Sequence, residues 1–430
     1  METALKDKDV QGLKYFLRLL PLLERLKNVG CERDTAGNRK LFFDDYVKLV
    51  LLYMWNPLIG SMRTLQKAVA LPRVLKALGI RRFSAGSFSE APAVFEPELL
   101  KGVIEELAGE LRPLGTDPRL RDVRRVLTLV DGTVLGGLAG LAKAALDDTC
   151  YNTARDGRKL HGWRLHMQLD LATFSPTRTD LTGARNAGPQ REHNVLEASL
   201  QAGRCYVGDC VYSDRGLLDC IVVAGSSYVM RVGENTVFEV LEERELSQEA
   251  LDAGVVRDAI VRLGGPDAPA MNHPVRLVEV QVTPRPRRTR KARKGAAGGK
   301  QGAIKGSRHS DRLLIVTDMT GLAAQLVGLV YRQRYGVELF FRFFKQILGL
   351  RHLISQRREG VEIQVYCAVI ACLMIQLQTG RKPDKRTAEM MGWFFLGLAS
   401  EQDVIDHLNQ PDNKGVKLRA KEALWKKLGY

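Results

Sequence analysis

At 430 residues the chain is long enough for two or three domains, and its 45% hydrophobic and 27% charged residues place it among folded proteins. That composition excludes a wholly disordered, collagen-like or coiled-coil chain. The charge is less ordinary: 65 Lys and Arg against 49 Asp and Glu give +16 and a pI near 9.6, which points to a polyanionic partner, either nucleic acid or an anionic membrane surface.

Length argues against the membrane. The best apolar run, Val365 to Ile375, is 11 residues between Gln364 and Gln376, whereas a spanning helix needs about 20, so the run reads as a buried core helix. The opening METALKDKDV has no apolar signal-peptide core behind its charges. Seven cysteines (Cys31, Cys150, Cys205, Cys210, Cys220, Cys367 and Cys372) form no CxxC pair and no zinc-ligand spacing. An odd number of small apolar thiols fits the reducing cytoplasm.

In chain order, residues 1–118 read as a helical region. Leu41 to Trp55 is an apolar run of helix length, and Glu96 to Leu111 repeats apolar residues at three and four. Between them, Arg63, Lys67, Arg73, Lys76, Arg81 and Arg82 occur with no acid. They form either a solvated helix face or a helical DNA-contacting module. Residues 119–235 change texture. Val126 to Val130 is a short β-rich run ending at Asp131-Gly132, and Trp163 to Leu171 alternates as a strand buried on one face. A strand near Thr177 to Leu181 and a helix from Gln190 to Gln201 follow, then strand Arg204 to Val207, helix Asp214 to Val223 and strand Ser227 to Val232. Three strands followed by strand–helix alternation predict an α/β fold, a mixed sheet with flanking helices.

Residues 236–312 return to β character, then give way to a basic segment. Arg285 to Arg308 holds ten Lys and Arg, including Arg287, Arg288, Arg290 and Lys291, with five glycines and no acid. It supplies +10 of the +16 and cannot bury a core, so it reads as a flexible loop. Residues 313–380 open with strand Leu313 to Thr317 and continue as helices, with Asp318 placed to start the first. Residues 381–430 read as a helical tail whose Lys414, Lys417, Arg419, Lys421, Lys426 and Lys427 suit a solvated face.

The sharpest pattern lies in YRQRYGVELFFRFFKQILGL. On one continuous helix Tyr331, Arg334, Glu338 and Lys345 fall within about 80°, with Arg342 inside the same arc. Val337, Phe340, Phe341, Phe344 and Leu348 form a separate apolar stripe. A lone carboxylate among cations is either an ordinary solvated face with an Arg–Glu pair or a site where an acid binds metal and cations hold phosphates.

The spacing Tyr-x2-Arg-x3-Glu-x6-Lys resembles the "YREK" signature of a group of bacterial insertion-sequence transposases of the DDE type, and every gap matches. Three further blocks are similar to that group in the right order. They are FFDDYVKLVLLYMWNPLIGSMRTLQKA with SFSEAPAVFEPELL near the N-terminus, LVDGT around the first catalytic Asp, and DRGLLDCIVVAGSSYVMRV after the second. The resemblance implies an RNase H-like catalytic core with a β-rich insertion ahead of the glutamate. It also implies two Mg²⁺ ions (Mn²⁺ as a substitute) held by Asp131, a second Asp and Glu338. By their charge and placement, Tyr331, Arg334, Arg342, Lys345 and the basic loop are expected to contact DNA phosphates.

The second Asp has two candidates. Asp214-Arg215-Gly216 matches three letters of the family's Asp-Arg-Gly-Tyr, but the family's tyrosine stands three residues after the Asp, where Asp209 has Tyr212. Asp209 also follows a strand, whereas Asp214 sits where a helix N-cap belongs. Asp209 is therefore preferred. The intervals of 78 residues from Asp131 to Asp209 and 129 from there to Glu338 can close only in a folded sheet. His161 and His166 fall at or near the alternating strand and read as hydrogen-bonded surface residues. No phosphate-binding GxxxxGK[ST] loop is present.

The resulting expectation is a cytoplasmic, nucleoid-associated bacterial transposase. It would cleave the ends of its own element and join them to target DNA, acting as a homodimer on double-stranded DNA with no membrane partner. The rivals are a same-fold nuclease that does not join, and a transposase-derived DNA-binding protein that does not cut.

Overall fold

The structure is a computed structural model that describes residues 20–29, 33–35, 37, 39–56, 59–115, 117–135, 151–153, 159–183, 187–265, 271–282, 312–349, 354–355, 357–382, 385–395 and 398–409. The basic segment 285–308, with Arg287, Arg288, Arg290 and Lys291, and the lysines of the last twenty residues lie outside the described residues.

The N-terminal region is helical. Helix α1 (Phe43–Trp55) is apolar on every side and accordingly buried, from Phe43 and Tyr46 to Tyr53. Its one cation, Lys48, is also buried, and Asp44 and Asp45 one turn earlier hold it at 2.9 and 3.2 Å, as a buried charge requires. Short helices Met62–Val69 and Pro72–Leu78 carry Arg63, Lys67 and Lys76, Arg81 and Arg82 follow the second helix, and all five are exposed. Helix α2 (Leu99–Gly109) closes the region.

Strands β1 (Val126–Leu135), β4 (Trp163–Asp170), β5 (Ser175–Gly183), β6 (Arg204–Gly208) and β7 (Ser227–Val232) lie in the order β5-β4-β1-β6-β7. The pairings of β1 with β4 and β4 with β5 are antiparallel, and those of β1 with β6 and β6 with β7 are parallel. This is the RNase H-like arrangement. A separate pair, β2 (Tyr151–Thr153) and β3 (Lys159–His161), precedes β4. Strands β8 (Phe238–Glu243), β9 (Val255–Leu263), β10 (Val275–Gln281) and β11 (Arg312–Thr317) do not form a sheet of their own. They extend the first sheet antiparallel through β11, which pairs with β7 on one side and β10 on the other, to give nine strands. The inserted residues thereby cover what would be an open edge at β7. Gln281 and Arg312, which flank the basic segment, pair at the end of the sheet where β7 finishes at Val232.

Two cores sandwich the sheet. Leu127 and Leu129 of β1 join one with the C-terminal helices, while Val130 joins the other, beneath helices α3 (Glu192–Glu197) and α4 (Arg215–Val223). Successive strand residues alternate between these faces.

Helix α5 (Ala324–Gln333) does not begin at Asp318. That carboxylate instead accepts from Ser227 Oγ at 2.8 Å and Tyr228 N at 2.9 Å, fastening the end of β11 to β7. Buried Arg276 of β10 makes a bidentate pair with Asp258 (2.7 Å each) and donates to the carbonyls of Met319, Thr320 and Leu322. The inserted strands thus hold the turn that launches α5. The continuous helix expected through Lys345 is divided at Arg334. Helix α6 (Tyr335–Gly349) follows a tightened turn in which Arg334 N bonds Tyr331 O (3.0 Å) and Val337 N bonds Arg334 O (3.2 Å). At Gly336 a Cβ would lie 2.9 Å from Leu129 Cδ1 and 3.2 Å from Phe174 Cε2. The missing side chain lets α6 settle directly on β1.

Helix α7 (Arg358–Thr379) is twice the length of its 11-residue apolar run. By length and composition its stretch Arg358–Leu377 could cross a membrane, but 89% of the apolar window is buried inside the fold, against α1, α2 and α6. Among the described residues the cysteines are free. Cys205, Cys367 and Cys372 are buried, and Cys210 is exposed beside Asp209.

Candidate active site

The expected break of β1 at Asp131-Gly132 does not occur, because β4 pairs with β1 as far as Leu135. The parallel partner β6 stops earlier. Its last pair with β1 is Leu129↔Val207. Asp131 and Asp209 each lie two residues beyond that pair, and Asp209 keeps an extended backbone (φ −87°, ψ −171°). They therefore stand level on neighbouring chains and face the same side, the side covered by α6.

Arg334 joins the helix to the sheet. Its guanidinium lies 3.4 Å from Asp131 Oδ2 and pairs with Glu338 one turn further on. The side chains are 18% (Asp131), 19% (Arg334) and 35% (Glu338) exposed, so the group forms a half-open cleft. Asp209 accepts from Val211 N at 2.9 Å, which fixes its carboxylate at the start of the turn Cys210–Tyr212. Burial, opposed by Arg334 and reinforced by Asp209, lifts the Asp131 carboxyl to about 6. Carboxylates gathered at some cost on one face call for a cation. The donors are all hard oxygens, which suits Mg²⁺. Among the described residues no three ligating side chains converge on one point; the Arg334 guanidinium lies between Asp131 and Glu338 and offsets their charge.

The raised Asp131 value makes a stability prediction. A folded-state pKa above the ordinary 3.8 means the protonated form is favoured by folding. The stability it contributes is full below about pH 4 and is lost as pH rises through about 6. Without metal, Asp131→Asn should therefore be more stable than the native protein above pH 6, by on the order of 3 kcal/mol at 1.36 kcal/mol per unit. The gain should vanish near pH 4. Thermal melts in chelator across pH 4–8 check this; a pH-independent difference would refute it.

Of the other expected residues, Tyr331 is half-buried one turn before Arg334. Lys345 is exposed further along α6, within electrostatic reach of Asp131. Arg342 leaves the group: its guanidinium lies over the Tyr335 ring, 5.3 Å from the centroid. Asp214 accepts from Leu217 N at 3.2 Å as the N-cap of α4. His166 is not on the surface. It is 5% exposed and hydrogen-bonded to Thr182 Oγ1 at 2.8 Å, and burial, helped by Arg164, lowers it to about 4, so it stays neutral. The His161 side chain lies outside the described residues.

The mark that Gly336 carries in the sequence is its place inside a helical pattern, a signal of close packing. The carboxylate of Glu192 is buried behind the sheet against Arg164 and Tyr212. A single glutamate in GPQREHNVLE carries no pattern to mark it.

The chain is similar in sequence to several transposases. The Sinorhizobium fredii protein called "Putative transposase y4zB" is 25% identical over 260 residues, 60% of this chain and 62% of that protein, so the chain spans less than two thirds of the relative it matches. The "Probable transposase for insertion sequence element IS5377" of Geobacillus stearothermophilus is 25% identical over 223 residues, half of each chain. A cryo-EM structure of the piggyBac transposase synaptic complex with hairpin DNA superposes on 94% of this chain and 82% of that one, at 12% identity and a TM-score of 0.42. Residues 124–374, more than half of the chain and a span that includes Asp131, Asp209 and Glu338, match the transposase DDE domain, and the chain belongs to that family.

Proposed function

We propose that the protein is an active transposase of the YREK subgroup. It binds the terminal inverted repeats of an insertion sequence, cleaves the ends by Mg²⁺-dependent phosphodiester hydrolysis and joins them to target DNA. The observation that carries this reading is the level placement of Asp131 and Asp209 on adjacent chains beneath the helix that bears Glu338. DDE transposases generally use divalent metal ions. In this reading Asp131, Asp209 and Glu338 hold two Mg²⁺, with Mn²⁺ as a substitute. Such a pair, when bound, activates the attacking water or 3′-hydroxyl and stabilises the leaving oxygen.

The remaining residues position DNA. Arg334 and Tyr331 stand on one side of Glu338 and Lys345 on the other, where cationic and hydroxyl donors can hold the phosphates flanking the cut. Residues 1–118, with the exposed cluster Arg63, Lys67, Lys76, Arg81 and Arg82, are the end-binding region. Residues 119–235 and 313–380 form the catalytic core, 236–312 the insertion and 381–430 a tail. The ten charges of 285–308 are tethered at Gln281 and Arg312, level with the end of β7, from where they can neutralise phosphates without reading sequence. Two ends must meet, so the working form is a homodimer on DNA in the bacterial cytoplasm.

The test uses the inverted repeats flanking the gene as labelled substrate. Mg²⁺-dependent nicking at the repeat boundary and transfer of pre-cut ends into a plasmid are expected. Binding without nicking would make the protein a DNA-binding relative, and nicking without transfer would make it a nuclease.

A further inference from the structure

The ladder that aligns the two aspartates ends before it reaches them: past Leu129↔Val207 no backbone pairing joins β1 to the chain leaving β6. Yet two carboxylates that share ions must keep a fixed separation. A buried side chain behind the sheet joins the two chains at this level.

Glu192 opens α3 on the face opposite Asp131, and its side chain is 6% exposed. It lies against the β1 backbone at Gly132, where an added Cβ would come 2.5 Å from Glu192 Oε2 and 2.8 Å from Cδ. The same Oε2 accepts from Tyr212 Oη at 3.1 Å. Tyr212 closes the turn that Asp209 begins, and its ring lies against the residue before that aspartate. A Cβ at Gly208 would meet Tyr212 Cδ2 at 2.9 Å. The other oxygen, Oε1, pairs with Arg164 of β4, whose residue stands across from Val134 of β1. One carboxylate thus touches the chain next to Asp131, the turn begun by Asp209, and the neighbouring strand. Its partners satisfy a charge that would otherwise be costly to bury.

We propose that Glu192 and Tyr212 are a positioning pair that takes over where the β1–β6 ladder ends and sets the separation of Asp131 and Asp209. The inference rests on the reading of those aspartates as metal ligands. Glu192 itself faces away from the cleft and ligates nothing there. The glycines at 132 and 208 follow from the same device, since each leaves the room that one member of the pair fills.

Tyr212→Phe removes a single hydroxyl, and Glu192→Gln keeps the volume and an acceptor for Tyr212 while discharging the pair with Arg164. Outer partners of metal ligands typically weaken metal affinity by about 10-fold or more when removed. Both variants are therefore expected to bind element ends normally, to need about 10-fold more Mg²⁺ for half-maximal cleavage, and to recover near-native rates when it is supplied. Mn²⁺ titration of the protein without DNA, followed by electron paramagnetic resonance, should show the same weakening. Asp131→Asn is the control: its cleavage is lost and is not rescued by Mg²⁺. If both variants keep native Mg²⁺ midpoints and Mn²⁺ affinity while Asp131→Asn is dead, the positioning pair is wrong and the metal site stands. If Asp131→Asn cuts and binds Mn²⁺ like the native protein, the reading of the site fails and the pair falls with it. Should Tyr212→Phe fail to fold, the Glu192→Gln midpoints decide alone.

Discussion

Asp131→Asn and Asp209→Asn are each expected to lower Mg²⁺-dependent cleavage of an element end at least about 1,000-fold, while Asp214→Asn cleaves within a few-fold of the native protein. The first loss reflects several kcal/mol of charge stabilisation supplied through a liganded metal, at 1.36 kcal/mol per tenfold in rate. The contrast comes from what each carboxylate does. Asp131 and Asp209 stand two residues past the last β1–β6 pair and face α6 together. Asp214 faces its own helix, accepting from Leu217 N at 3.2 Å, and asparagine caps a helix about as well as aspartate. Stability and catalysis should therefore both survive Asp214→Asn. Cleavage of a labelled end by the three folded variants decides the matter. An inactive Asp214→Asn beside an active Asp209→Asn would reverse the assignment.

Much of the frame that makes this contrast was legible in the residues. Apolar runs mark β6, β7 and β11 because those strands are covered on both faces, and the N-cap at Asp214 follows from the strand–turn–helix order around it. What local pattern could not show is what distant elements impose. Trp163 to Leu171 reads as a strand with one wet face, yet Gln168 on its polar face is buried, with Nε2 donating to Ser199 Oγ at 2.8 Å beneath α3. Asp131-Gly132 reads as the end of a strand, yet β4 carries β1 on to Leu135. The four spaced residues from Tyr331 to Lys345 fit one helix by period alone. The turn at Arg334 and the seat of Gly336 on Leu129 depend on a sheet more than 200 residues upstream. The three acids proposed as metal ligands stand out by spacing and resemblance. The contacts of Glu192, Tyr212 and Gly336 around those acids join residues far apart in the chain and have no spacing to mark them.

Removing charges one at a time from the α5–α6 junction should separate binding metal from holding DNA. Glu338→Gln is expected to abolish cleavage while binding uncut ends at least as well as the native protein, because a negative charge facing phosphates is gone. Lys345→Ala should weaken complexes with cut ends and slow joining several-fold, with the Mg²⁺ midpoint unchanged. Its side chain is exposed and reaches the cleft only electrostatically. Arg334 differs from Lys345 because its guanidinium spans Asp131 and Glu338, occupying space between two carboxylates proposed as ligands. A metal ion must compete with that cation for both oxygens. Arg334→Ala should therefore bind Mn²⁺ more tightly than the native protein in the absence of DNA, yet cleave more slowly because a phosphate contact is lost. Opposite signs in those two measurements are what distinguish a competing cation from a simple support. If Arg334→Ala weakens metal binding, the guanidinium holds the carboxylates in place for the ion instead of standing in its way. If extra Mg²⁺ alone rescues Lys345→Ala, Lys345 belongs to the metal site and the proposed division of labour along α6 is wrong.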